Sequence, residues 1–220
     1  MIMDVIKLGA IIDRSRNIKG MAFALEPDED AVMTVEAVRA LASRGFDIAE
    51  GWNPFPEWSD EHGLIADAVR EEVKALRAKG DRLNGRHAAT LVYSCAVMGR
   101  GPDWQADQPA CGYVQRNGID AWFLAKKSKD LFGKVHMIET DGYDRKRRKP
   151  MRGAYRKMEL LEPLRGAIIS RLEWQIWQDA LCDLHSTLEN QLKTHDLVPF
   201  VPLRQPWAYS REPSEIPVSV

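Results

Sequence analysis

Between Arg145 and Lys157 the chain reads RKRRKPMRGAYRK, eight cations in thirteen residues with no acid among them. The full chain of 220 residues has a net charge of −1, which leaves −9 on everything outside this run. Positive charge gathered in one place on an otherwise anionic chain is suited to an extended anion. Phosphate contacts dominate the affinity of proteins for nucleic acid. Arg145, Lys146, Arg147, Arg148, Lys149, Arg152, Arg156 and Lys157 are the expected backbone contacts, and guanidinium groups can fork onto phosphate oxygens. Tyr155 supplies a ring that can stack on a base or sugar. Pro150 and Gly153 interrupt the run, so a loop or arm is expected rather than one smooth helix. Lys126, Lys127, Lys129 and Lys134 lie close enough in sequence to enlarge the patch.

A different chemistry is conceivable just upstream. Glu139, Asp141 and Asp144 precede Lys146, and Asp144-Arg145-Lys146 has the D-x-K spacing found in many metal-dependent nucleases. Asp141 and Asp144 would hold a divalent ion on oxygen ligands and Lys146 would face the scissile phosphate. The motif is short and frequent by chance, and Asp141-Gly142 reads equally well as a turn. Pro102-Asp103, the candidate for the second half of such a site, lies some forty residues away in an irregular stretch. Cys182, His185 and His195 do not complete a zinc set. The chain contains neither G-x-S-x-G nor G-x-x-x-x-G-K-[ST]. Neither a catalytic set, a metal site nor a cofactor is therefore assigned.

The elements that must position these residues follow from periodicity. Residues 4–25 alternate around an RSRN break and predict a β-hairpin. Asp28 or Pro27 opens a helix carrying Val32, Val35, Val38 and Leu41, with Gly45 as its stop. Ser59 is expected to cap a second helix that ends at Gly80, and a third is expected over Arg86–Met98, apolar on most sides and hence buried. The loop EGWNPFPEW, with Trp52, Phe55 and Trp58, is expected to plug the first helix rather than stack bases, since Glu50 and Glu57 would repel phosphate. Trp122, Phe123, Leu131 and Phe132 suggest a helix over 119–132, and KVHMIET at 134–140 a strand. From Pro163 an apolar stripe through Leu164, Ile168, Leu172, Ile176, Ala180, Leu184, Leu188 and Leu192 predicts an amphipathic helix over about 163–194, some 45 Å long. Pro199, Pro202 and Pro206 predict an extended arm over 197–209, with a disordered tail over 210–220.

The expected fold is therefore one α+β domain over 1–209, mainly helical, with an N-terminal β-hairpin packed on several helices and a long C-terminal helix. Three scattered cysteines, no leader-like start and no long apolar run suggest a cytoplasmic protein that does not enter a membrane. The first functional expectation is a non-enzymatic nucleic-acid-binding subunit or accessory protein of a bacterial nucleoprotein assembly, with DNA and RNA left open. The second is a scaffold whose basic loop meets an acidic protein, joined to a partner or to a second copy through the long helix and the proline-rich arm. The metal-dependent nuclease is the third.

Overall fold

The computed structural model describes residues 28–198 and 203–209, so the predicted N-terminal hairpin, Pro199, Pro202 and the tail lie outside the described residues. The chain divides into two compact units, one made of residues 1–59, 68–106 and 165–220 and the other of 60–67 and 107–164.

The first unit is helical. Helix α1 (Glu29–Leu41) starts at Asp28, whose carboxylate accepts the Asp30 N–H, and α3 (Gly85–Met98) starts at Asn84, whose side chain accepts the His87 N–H. Gly99 closes α3 in the left-handed conformation at φ 69°, which costs glycine nothing. Helix α2 (Leu64–Lys79) is capped by Asp60 rather than Ser59, its carboxylate taking the N–H groups of Ile65 and Ala66. Gly85 lets α3 begin directly against the end of α1, because a Cβ there would meet the Leu41 carbonyl oxygen at 1.8 Å.

Helix α4 (Arg165–Leu188) is the spine of this unit. Its Trp177, Ala180, Leu181 and Leu184 pack with Val38 and Leu41 of α1 and Val92 and Cys95 of α3. Leu172 and Ile176 pack with Ile48, Leu76 and Ala88. Arg171 is also buried, 2% exposed, and anchors the EGWNPFPEW loop. Its guanidinium pairs with Glu57 at 2.6 Å, donates to the carbonyls of Pro54 and Trp104, and lies over the rings of Phe55, Trp58 and Trp207. That loop is thus a plug, seated on Arg171 and Gln175 of α4. Residues 203–209, ending in α5 (Pro206–Tyr209), return to the same spine: Gln178 and Trp174 donate to the Leu203 carbonyl, Arg204 meets Asp179 at 2.9 Å, and Trp207 is buried.

The second unit is built from short antiparallel strands. Strand β1 (Cys111–Tyr113) pairs with β9 (Met158–Leu160), and β2 (Gln115–Arg116) with β3 (Ile119–Asp120). Strand β4 (Trp122–Lys129) lies between β5 (Val135–Asp141) and β8 (Tyr155–Arg156), and β6 (Tyr143–Asp144) pairs with β7 (Lys149–Pro150). Asn117 and Gly118 both have positive φ, 54° and 76°, the geometry of the tight turn that joins twisted strands.

Three expectations fail here. The body is a mixed α+β fold with a set of small antiparallel sheets, not a mainly helical one. The helix predicted over 119–132 is a β-hairpin: Asn117-Gly118 and Asp130–Gly133 turn the chain at either end of β3 and β4, and Leu131 and Phe132 belong to the second turn. The long helix over 163–194 does not form. Helix α4 covers 24 residues, Asn190 turns left-handed at φ 63°, and the backbone N–H groups of Lys193, Thr194 and His195 go to the Asp30 carboxylate instead of to a further helical turn. The apolar stripe is buried among residues of α1, α3 and the same unit's loops. No helix among the described residues is long and apolar enough to cross a membrane.

Candidate nucleic-acid interface

The cationic run begins where β5 ends. Asp141 accepts the Tyr143 N–H, and the buried Gly142 donates to the Trp122 carbonyl at 2.8 Å, passing the chain tightly against β4 into β6. Asp144 then organises the tip: one carboxylate oxygen accepts both the Lys146 and the Arg147 N–H at 3.0 Å, an Asx-type turn that competes well with helix. Arg148 follows at φ 51°, and β7 returns with Lys149 opposite Asp144. A second turn comes at once, with Ala154 bonded back to Met151 and Gly153 at φ 81°. Arg145, Lys146, Arg147, Arg148, Lys149 and Arg152 are all exposed on these two turns.

Their charge is barely offset. Arg145 meets Asp141 at 3.5 Å with its side chain 87% exposed, and Arg147 meets Asp144 at 3.8 Å with its side chain 75% exposed. Exposed pairs of this length hold a cation weakly. Lys146, Arg148, Lys149 and Arg152 make no ion pair among the described residues. Six cations against two carboxylates leave a strongly positive tip.

The last three residues of the run have another occupation. Lys157 is paired with Glu139 and lies 5.2 Å from the centre of the Phe123 ring. Tyr155 donates its hydroxyl to the same carboxylate. Hydrogen bonds from Lys157 and then Tyr155 hold Glu139 below the usual carboxylate range, and the carboxylate in turn pushes the Tyr155 hydroxyl up. Arg156 pairs with Asp120 at 3.0 Å and lies over the rings of Tyr113 and Trp122. These residues tie β8 to the neighbouring strands. Asp141 and Asp144 spend oxygens on turn N–H groups and on arginines, and Asp103 accepts the Gln105 N–H.

Two other places in the first unit have chemical content. Asp28, Asp30 and His195 bring three ligand atoms within 4.8 Å. Asp30, however, already accepts from three backbone N–H groups, the Thr194 hydroxyl and the His195 ring, so the trio is a hydrogen-bonded knot. A cleft of about 650 Å³ is lined by Glu50, Trp52, Gln175, Asp179 and Arg204 among others. Burial raises the Asp179 carboxyl, with Arg204 opposing. Its acids make it unsuited to phosphate.

Compared with family models, curated proteins and solved structures, the chain matches none of them. Composition alone finds the exposed tip. The strand expected at 134–140 is β5; what sequence reasoning missed is β4, its partner in the ribbon, signalled by Asn117-Gly118 and by the Asp130 and Gly133 turn residues.

Proposed function

We propose that this chain is a non-enzymatic nucleic-acid-binding protein, a subunit or accessory factor of a nucleoprotein assembly, that grips the phosphate backbone through Arg145–Lys149 and Arg152. The single observation carrying this reading is the charge balance of the two turns: six exposed cations and two carboxylate partners, which reach only Arg145 and Arg147, at 3.5 and 3.8 Å. Such pairs exchange readily for phosphate oxygens, because each gains little in water and holds two side chains in place. Tyr155, Arg156 and Lys157, already partnered by Glu139 and Asp120, would contribute less, since each must give up a closer partner to meet phosphate. Backbone contacts position a protein without reading sequence, so the reading implies binding with little base preference from this element.

The test is fluorescence anisotropy with labelled single- and double-stranded DNA and RNA at low salt. The variant in which Arg145, Lys146, Arg147, Arg148 and Lys149 are all replaced by Gln should bind at least tenfold more weakly. Parent-like affinity in that variant would refute the proposal. Incubating the same probes with Mg²⁺ should leave them intact, and cleavage lost in Asp144→Ala would assign that carboxylate to catalysis instead.

A further inference from the structure

The β4–β5 hairpin continues beyond the body of the second unit as a bare ribbon. From Ala125 through Glu139 every residue but Ser128 is exposed. Its tip is more exposed still: Leu131 is 101% and Phe132 95% accessible. The tip is built to be there. The Asp130 carboxylate accepts the N–H of Phe132 at 2.9 Å and of Lys134 at 2.8 Å, and its other oxygen meets the His136 ring at 3.0 Å. The Asp130 N–H also donates to the Lys134 carbonyl at 3.0 Å, its carbonyl accepts the Gly133 N–H at 3.0 Å, and Gly133 takes φ 80°. An ordered turn therefore holds two large apolar side chains in water.

The cations lie along both faces of this ribbon. Register places Lys127 opposite Met137 and Lys129 opposite Val135 on one face, and Lys126 opposite Ile138 on the other. Lys134 sits beside the tip. None of these four lysines makes an ion pair among the described residues, and the only carboxylates on the ribbon, Asp130 and Glu139, are both occupied.

Resting on the nucleic-acid reading above, we infer that the ribbon is a duplex-binding arm, which enters a DNA groove and wedges Leu131 and Phe132 into a base step. A ribbon with cations on both faces suits a slot with an anionic wall on each side. The grooves of B-DNA are such slots, wide enough in the major groove for a two-stranded ribbon. Apolar side chains inserted between base steps unstack and kink the duplex. The position of the other cationic element favours a rod over a flat anionic surface. Arg145 reaches Asp141, at the far end of β5 from the apolar tip. Seven strand residues separate the two by about 20 Å, near six base pairs of helix rise. A duplex lying along β5 can touch both elements, whereas a bilayer meeting the tip end-on would leave the Arg145–Lys149 turn out of reach.

The experiment uses the full chain and a 20-base-pair DNA duplex carrying 2-aminopurine at one step and a donor–acceptor dye pair at its ends. The parent should raise 2-aminopurine emission and energy transfer together. Leu131→Ser with Phe132→Ser, which removes nothing from the core, should keep affinity within about threefold and lose both signals. The Arg145–Lys149 to Gln variant reports separately on the nucleic-acid reading. Turn-dependent duplex binding without unstacking in the parent would overturn the arm and leave that reading standing. Duplex binding by neither protein would overturn the arm, and the single-stranded and RNA probes would then decide the nucleic-acid reading. Tip-dependent flotation with phosphatidylglycerol vesicles, with no unstacking of DNA, would overturn the arm in favour of a lipid surface.

Discussion

Replacing Arg171 with alanine should be among the most damaging single changes to the helical unit. The guanidinium is 2% exposed and its Glu57 partner 11%, so neither is left in water when the other is removed. The alanine variant leaves the Glu57 carboxylate without its counter-ion, although its second oxygen already lacks a hydrogen-bond partner. It also orphans the Pro54 and Trp104 carbonyls and empties the space between the rings of Phe55, Trp58 and Trp207. Breaking one side of a buried pair costs about 3–5 kcal/mol. For a chain of this size that corresponds to a fall in Tm of roughly 6–20 °C. Pairing Arg171→Met with Glu57→Gln should recover most of the loss, since no buried charge then stands alone. Thermal unfolding followed by circular dichroism reads all three variants. An alanine variant melting within about 2 °C of the parent, less than one kcal/mol on the same scale, would refute the claim that Arg171 fastens the loop to α4.

Asp30→Asn should lower stability at neutral pH by releasing Lys193–His195. Hydrogen bonds led by the Lys193 N–H hold the Asp30 carboxyl far below its ordinary range against the effect of burial, so its contribution is complete above the unfolded carboxylate pKa of about 3.9 and is lost as pH falls through the folded value. Parent and variant melting curves should therefore converge below pH 4, and a constant gap down to pH 2 would contradict this. Cys111 and Cys182 are exposed and Cys95 is buried, with its thiol pushed up to about 11 chiefly by burial. Mass spectrometry after brief alkylation of the native protein should find Cys111 modified first, Cys182 more slowly because burial and the nearby Asp179 and Asp183 raise its thiol, and Cys95 untouched until denaturant is added.

The parts of this fold legible in the sequence are those where one face is buried and the other wet. Helix α1 was readable from Asp28 to Leu41 because its apolar positions fall at helical spacing and its cap is a short acid. The stripe of α4 was readable for the same reason, but not its end. The residues beyond Leu188 continue the pattern with Leu192, and what stops them is the buried carboxylate of Asp30, more than 160 positions away. Strand β4 escaped because only its Trp122–Leu124 end is covered, so WFLAKKSK shows no alternation along its length for burial to impose. Leu131 and Phe132 then counted as an apolar stripe when they are a turn tip. Asn117-Gly118 was the available clue, since both residues adopt positive φ readily. For the candidate interface, charge and the breaks at Pro150 and Gly153 located the exposed tip. They could not separate Arg145–Lys149 from Arg156 and Lys157, because that distinction depends on which strands bring Asp120 and Glu139 alongside.

The central claim is that Arg145–Lys149 exchange their weak internal partners for phosphates, and the salt dependence of binding measures that exchange directly. Each phosphate neutralised adds about −0.9 to the slope of log K against log salt on B-DNA. Across 50–200 mM salt, substituting the five residues with Gln should flatten the parent's slope by about 4.5 units. Equal slopes in parent and variant would mean that the tip touches no phosphate, and the account would fail.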